Sequence, residues 1–305
     1  MTLPSPEHTP ELPRDQVLAR VREALLQARP DIAGIIVFGS LARGETWRDV
    51  DVLVVLDSLG AEQSAWLKEA IALRQVIDLQ RVEVIPYSLR GFVNGLRNHS
   101  LFLLDIAVDG IILHDRAELS KEIAETRRYI QEGGIRRSRP GSWRFPVQFR
   151  RSTLLSRRSN QDYVRRWLDD AERDAEAATA LRAAGLHDRS VYHCQQAVER
   201  AVKACLACLG AFERTHFVAR ALRQAVVESP VGEWTDRLAR VADTAERLEA
   251  HVSRARYMIE DDAGEIVWVP AENYFDADSE QALQDAREAL RVAREFAAWW
   301  FGAEG

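Results

Sequence analysis

The chain has 305 residues, 47% of them hydrophobic and 29% charged, with a formal net charge of -6. At roughly 150 residues per domain this is material for about two globular domains, and it excludes a collagen-like, purely coiled-coil or globally disordered chain. Three cysteines are too few for a disulfide framework, residues 1–15 show no basic-then-apolar leader, and the most apolar stretch, 101–113, is broken by Asp105 and Asp109, so a cytoplasmic protein without a membrane span is expected.

In chain order, the first dozen residues are proline-rich and expected to be loose. Val17, Val21 and Leu25 follow helical spacing over 14–28, and Gly-Ile-Ile-Val-Phe at 34–38 is a short β-branched run that predicts a buried strand. A second strand is predicted at 50–56, a helix at 61–74, a third strand at 81–86 and a helix at 89–98. Short apolar runs around Asp109-Gly110 predict edge strands over 106–114, followed by a helix at 117–131. This half is mixed α and β, a small sheet covered by helices, assigned to residues 1–132.

Residues 133–160 lack a sustained period and contain Pro140, Gly141 and Pro146, which predicts an arginine-rich linker. Between 127 and 166 twelve arginines stand against only Glu132 and Asp162, although the whole chain is acidic. Such a band could face phosphates, pair with the acidic halves, or be a solvated linker. From 161 to 305 the pattern is helical throughout, with segments at 161–184, 188–209, 216–228, 234–254 and 279–300 separated at Gly185, Gly210, Pro230 and a loop with Gly264 and Pro270. An all-α bundle follows. Trp299-Trp300-Phe301 would serve as bundle core or as an oligomer contact, and a homo-oligomer is expected. Cys205 and Cys208 lie inside an alanine- and leucine-rich helix and read as buried core rather than a redox or zinc pair.

The chemistry concentrates between the first two strands. Residues two apart on a strand point to the same face, so Asp49 and Asp51 project together. Adjacent carboxylates repel unless a cation sits between them, and oxygen ligation by so few donors suits Mg2+, which completes its shell with water and substrate phosphates. Gly39 permits close backbone approach and Ser40 adds a hydroxyl where anions are favoured. A third carboxylate would complete a two-metal centre. Glu83 qualifies because it alternates with Val82 and Val84, which face the core; Asp78, before the apolar part of the strand, is the alternative.

Gly39-Ser40, Arg43-Gly44, Asp49-Val50-Asp51 and the later acidic strand resemble the DNA polymerase β-like nucleotidyltransferases, their minimal branch in particular, over about residues 35–115. The resemblance implies Mg2+-dependent transfer of a nucleoside monophosphate, AMP above all, from an NTP to a protein, RNA or small-molecule acceptor. It assigns the metals to Asp49, Asp51 and Glu83, with Gly39, Ser40 and Arg43 at the nucleotide. His193-Cys194-Gln195-Gln196-Ala197-Val198-Glu199-Arg200-Ala201-Val202-Lys203-Ala204, with Arg254-Ala255-Arg256-Tyr257 and the later Pro270 and Tyr274-Phe275, resembles the HEPN domain over about 162–301. The expected architecture is therefore α+β, a nucleotidyltransferase domain fused to an all-α HEPN bundle.

Many HEPN domains are ribonucleases with an Arg-x4-6-His motif. Here Arg182 and His187 have that spacing but span the break at Gly185, while Arg189 with His193 and Arg247 with His251 are one residue short. The alternative readings are a regulatory or nucleotide-binding protein derived from a toxin–antitoxin pair and lacking ribonuclease activity, or an antibiotic-modifying nucleotidyltransferase. Arg254, Arg256 and Tyr257 form a second candidate site, expected to face the transferase cleft, with Tyr257 a possible acceptor. Their alternative role is to pair with the acidic residues 260–262 and pack the bundle.

Overall fold

In a computed structural model the chain is described over residues 12–60, 62–261 and 263–302. The N-terminal stretch up to Glu11, for which a loose chain was expected, the predicted helix start at Ala61, and Asp262 lie outside the described residues. The chain divides into two units, Met1–Gly133 and Gly134–Gly305.

The first unit runs α1 (Arg14–Ala28), β1 (Ile32–Phe38), α2 (Gly39–Arg43), β2 (Val50–Leu56), α3 (Gln63–Gln75), β3 (Val82–Ser88), α4 (Leu89–Arg97), α5 (Leu101–Asp109), β4 (Ile111–Asp115) and α6 (Leu119–Gln131). Its sheet has the order β3-β2-β1-β4, with β2 and β3 parallel and the other neighbours antiparallel. Strand alternation sorts the side chains into two layers. Ile35, Val37, Val52, Val54, Val82 and Val84 pack on the face that carries α1, through Val17, Val21 and Leu25, and Leu73 of α3. Ile36, Leu53 and Val55 pack on the other face with Phe92 and Leu96 of α4, Leu103 and Ile106 of α5, and Ile123 of α6. Ser88 starts α4 by accepting the Gly91 N–H at 3.0 Å, a side-chain cap for an otherwise unsatisfied donor.

The expectation of edge strands over 106–114 is corrected. Residues 101–109 are helical and only 111–115 form a strand, the sheet edge beside β1. A short apolar run fits either state, and burial of Leu103, Leu104, Ile106 and Ala107 along one helix decides it.

The second unit contains β5 (Arg136–Arg139), β6 (Ser142–Arg144), α7 (Asn160–Ala183), α8 (His187–Cys208), β7 (Ala211–Glu213), α9 (Ala219–Val227), α10 (Thr235–Glu249), α11 (His251–Arg254), β8 (Ile259–Glu260), β9 (Ile266–Trp268), α12 (Pro270–Asn273) and α13 (Asp276–Phe301). α8 is its centre, packed against α7, α10 and α13. Ala197, Ala201 and Ala204 are fully buried along it, and their small side chains let the helix axes approach closely. Phe296 and Trp300 are buried, and Trp299 stacks on Phe296 and meets Phe149 at a tilt.

The linker expected at 133–160 is also corrected. β5 pairs with β6 and β6 with β7, Trp143 is 0% exposed, and Ser159 opens α7 with a reciprocal capping box to Asp162. The segment thus belongs to the helical unit. Its strand partner lies about seventy residues along the chain, a long-range pairing that local periodicity does not report.

Candidate functional site

The turn from β1 into β2 is held from several sides. Gly39 adopts φ +76, and Gly44 closes α2 at φ +74, both in the left-handed region that glycine enters at little cost. A Cβ built on Gly39 would stand 2.0 Å from Oδ2 of Asp51, so the carboxylate lies directly against bare backbone. Arg14 donates from Nε to the Leu41 carbonyl at 3.0 Å and from Nη2 to that of Ala42 at 2.7 Å. It thereby satisfies the Ala42 carbonyl at the end of α2 and adds a second donor to that of Leu41, which also accepts from the Gly44 N–H at 3.2 Å, and a residue of α1 fixes the turn that carries Ser40.

Asp51 is opposite Phe38 on β1 and opposite Glu83 on β3. Neighbouring strands lie about 4.8 Å apart and directly paired residues share a face. The Val50 N–H donates to the Arg81 carbonyl at 2.8 Å, which ties the starts of β2 and β3 together. Asp49 precedes β2 in an exposed bend, Glu83 is exposed, and Asp51 is partly buried. Burial, then the charges of Glu83 and of Asp49, push the Asp51 carboxyl up to about 6, against a smaller opposing effect of Arg43. Glu83 and Asp49 therefore both act electrostatically on Asp51, whereas Asp78 is not among the groups acting on it.

Among the described residues no three His, Cys, Asp or Glu side chains form a ready metal cage. Mg2+ does not require one, since it is held by one or two carboxylates together with waters and substrate phosphates. The oxygen-only donors, the excess negative charge at Asp51 and the cradle at Gly39 fit such an ion.

Arg43 is more engaged than its sequence position suggested. Its Nε and Nη2 donate to the Glu45 carboxylate at 2.9 and 2.8 Å, and its Nη1 is 3.7 Å from Asp109. Glu45 and Asp109 escaped the sequence reading, the first because it sits in the loop and the second because its segment was read as a hairpin.

In the second unit Arg254 and Arg256 diverge. The Arg254 guanidinium lies 5.7 Å from the ring centre of Trp268, whose Nε1 donates to the Arg254 carbonyl at 2.8 Å. Arg256 donates to the Tyr257 hydroxyl at 2.6 Å and lies over Tyr192. Among the described residues neither arginine has an ion pair with Glu260 or Asp261, and both lie against aromatic rings; Asp262, the third residue of the expected pairing, lies outside the described residues. Tyr257 is 56% exposed.

A polar cluster on α8 went unrecognised as a site. Glu199, 5% exposed, accepts from Lys203 Nζ at 2.7 Å and Gln195 Nε2 at 3.1 Å, and lies 3.0 Å from His216 Nδ1. Burial alone would raise this carboxyl, but Lys203, His216 and Gln195 outweigh it and hold it below the usual glutamate range. Gln195, Glu199 and Lys203 at four-residue spacing were the visible signal; His216, beyond a strand, was not. Asp174 similarly pairs with His193 at 3.0 Å and with Arg200.

The ribonuclease spacing does not become a site. Arg182 pairs with Asp276 and Glu280, and His187 Nδ1 meets Ser279 Oγ at 3.0 Å. Cys205 and Cys208 are fully buried, and burial pushes the Cys205 thiol up to about 12, consistent with inert core residues. No helix among the described residues is long and apolar enough to cross a membrane.

Comparison with known proteins matches residues 18–114 to the nucleotidyltransferase domain and residues 164–302 to the HEPN domain. A candidate toxin of Methanocaldococcus jannaschii, MJ1304, is 36% identical over 138 residues, 45% of this chain and 90% of that protein. The crystal structure of a nucleotidyltransferase-like protein from Exiguobacterium sibiricum is 12% identical, covers 93% of this chain and 77% of that one, and has a TM-score of 0.43. A tri-AMPylated HEPN toxin of Shewanella oneidensis, solved in complex with an MNT antitoxin, is 18% identical over 40% of this chain and 90% of that one, with a TM-score of 0.28.

Proposed function

This chain belongs to the nucleotidyltransferase and HEPN domain families, one in each half, and on that footing we propose that it transfers AMP from ATP to a hydroxyl acceptor with Mg2+. The observation that carries the reading is the juxtaposition of Asp51 with Glu83 in strand register and with the side-chain-free Gly39. Asp49, Asp51 and Glu83 would hold the metal, which when bound neutralises charge on the phosphate oxygens. The Gly39 backbone and the Ser40 hydroxyl would bind the β and γ phosphates. Glu83, the exposed carboxylate, would accept the acceptor's proton. The acceptor oxygen then bonds to the α-phosphorus as the bond to pyrophosphate breaks. Arg43 would swing from Glu45 to the triphosphate, an exchange of one anionic partner for another.

Tyr257 is the acceptor we favour. Its hydroxyl is exposed and already bonded to the Arg256 guanidinium, a cation able to balance an added phosphodiester. Incubation of the full chain with labelled ATP and Mg2+ tests the reading. Label on Tyr257, reduced at least about 1000-fold in rate in Asp51→Asn, is expected for a group holding the metal. Unchanged labelling in Asp51→Asn would refute the site. Transfer that persists in Tyr257→Phe would move the acceptor elsewhere.

A second reading, a nucleotide-binding regulator without transfer, draws support from Arg43, already shared between Glu45 and Asp109. Saturable ATP binding with no adenylylated product would select it.

A further inference from the structure

We infer that the outer edge of β3 and the flank of α3 above it form a groove for an extended polypeptide, the acceptor of the proposed transfer, which adds as a strand beside Glu83. The acceptor role rests on the transferase reading, whereas the groove rests on main-chain geometry alone.

β3 is the last strand of the sheet on its side. It pairs in parallel with β2, Val82 level with Val50, and the Val50 N–H donates to the Arg81 carbonyl. Main-chain groups alternate in direction along a strand, so residues 81, 83, 85 and 87 turn theirs toward β2 while Val82, Val84 and Pro86 turn theirs outward. The Pro86 carbonyl agrees with this parity, since it accepts from Trp66 Nε1 at 3.1 Å, and proline offers no N–H. Among the described residues the outward N–H and C=O groups of Val82 and Val84 have no partner. The side chains of both are buried in the core beneath α3, so the edge presents backbone. Its register with β2 is free of bulges, and a regular edge with open main-chain groups is a template for another chain.

α3 overhangs this edge with apolar side chains. Leu73 and Ile77 turn to the sheet, and Glu69 turns to Arg29 at the end of α1, 2.7 Å away. At about 100° per residue, Leu67 and Ile71 stand nearly opposite Glu69. Because α1 lies over β1 and β4 and α3 lies over β3, the flank opposite Glu69 is the one above the outer edge of β3. Leu67 and Ile71 are 55% and 50% exposed, and a strand laid against β3 would cover them. Main-chain pairing, with apolar ground for every second side chain, is how extended peptides are held.

A second copy of β3 is the wrong occupant. Antiparallel self-pairing about Glu83 sets two carboxylates directly opposite each other, which is destabilising. Self-pairing about Val84 sets Val82 against Pro86, whose carbonyl is already taken. Self-pairing about Val82 runs into Arg81, which leaves the strand at φ +51. A peptide has none of these conflicts. Its residue opposite Glu83 shares the Glu83 face, where a neutral hydroxyl meets the carboxylate assigned to take its proton. The residues on either side turn to Leu67 and Ile71. Residues 256–258 of this chain, Arg-Tyr-Met, have that pattern, through the apolar stem of arginine and Met258, 60% exposed. The arginine is also opposite in charge to Glu83 and the exposed Asp49.

The test uses the full chain without ATP or Mg2+, so that docking is read apart from transfer, and a fluorescein-labelled peptide copying residues 253–260, followed by anisotropy. In antiparallel pairing the amides at the Arg256 and Met258 positions point to β3, and that at the Tyr257 position points away. N-methylation of either of the first two should weaken binding at least about tenfold, and of the third less than about twofold. Ile71→Lys, at an exposed helical position, should weaken binding of the unmodified peptide about fivefold and leave the melting temperature unchanged. Equal effects at all three amides, or unaltered binding by Ile71→Lys, would overturn the inference. So would a concentration-dependent dimer that Ile71→Lys dissociates and that excludes the peptide. Alternating binding with no AMP on the peptide after ATP and Mg2+ are added would uphold the groove and remove the transferase reading.

Discussion

Asp51 and Glu199 are both carboxylates withdrawn from water, one at the sheet of the first unit and one at the centre of the helical unit. Burial raises both, yet Asp51 ends near 6 while Glu199 ends below the ordinary glutamate range. The difference lies in their neighbours. Glu199 meets Lys203, His216 and Gln195, whereas Asp51 meets Glu83 and Asp49, with Arg43 a weak counterweight already held by Glu45. A buried charge that is fully compensated is structural in character. One surrounded by like charges needs a cation from outside, which is what a metal-dependent transfer site requires.

Removing the compensated carboxylate should produce the largest change. Glu199→Ala leaves Lys203 and His216 facing an empty, largely desolvated position, and breaking a buried pair from one side costs about 3 kcal/mol or more. For a unit of this size that is a fall of roughly 6–12 °C in its melting transition, read by circular dichroism. Transfer activity per folded molecule should stay at the wild-type level. If melting is unchanged, Glu199 is not a structural anchor and the contrast with Asp51 fails.

The uncompensated side is probed next by Gly39→Ala. The added methyl group must adopt a left-handed backbone, at about 1–2 kcal/mol, and displace the Asp51 carboxylate that lies 2.0 Å from its position. Displacement of a reacting group by about 1 Å typically costs about 100-fold in rate. The expected outcome is a loss of that order in kcat/KM for ATP with a modest drop in melting temperature. Wild-type activity would mean that the glycine is a turn residue alone.

How much of this was legible in the sequence follows the range of the interactions. The Gly39–Asp51 turn is local: two apolar runs of clear strand character flank it, and β2 spans the residues their pattern indicated. Glu83 was reachable because its neighbours Val82 and Val84 alternate toward the core. The 101–109 helix was misread because Asp109-Gly110 imitates a hairpin turn, and that error hid Asp109 beside Arg43. Residues 133–160 were illegible for a different reason. Strands of three or four residues carry no period, and the second partner of β6 lies beyond α7 and α8. The Glu199 cluster was half visible, since Gln195, Glu199 and Lys203 repeat on one helix face while His216 arrives from a separate loop.

The smallest effect, and the sharpest on the comparison, is the pH dependence of Asp51→Asn. A carboxyl whose native value is raised to about 6 from an unfolded value of 3.8 binds its proton more tightly when folded. Its contribution to stability is therefore complete below about pH 4, is lost as pH rises toward 6, and stays lost above. Asparagine keeps the shape without the charge, so the variant should melt a few degrees higher than wild type at pH 7.5, and the gain should vanish at pH 4. Addition of Mg2+ should raise the wild-type melting temperature at pH 7.5 and leave the variant unmoved, because a cation supplies the compensation that the residue lacks. Chelation should restore the original gap. An equal gain at both pH values would trace it to packing, and the charge of Asp51 would cease to be the feature that separates the two units.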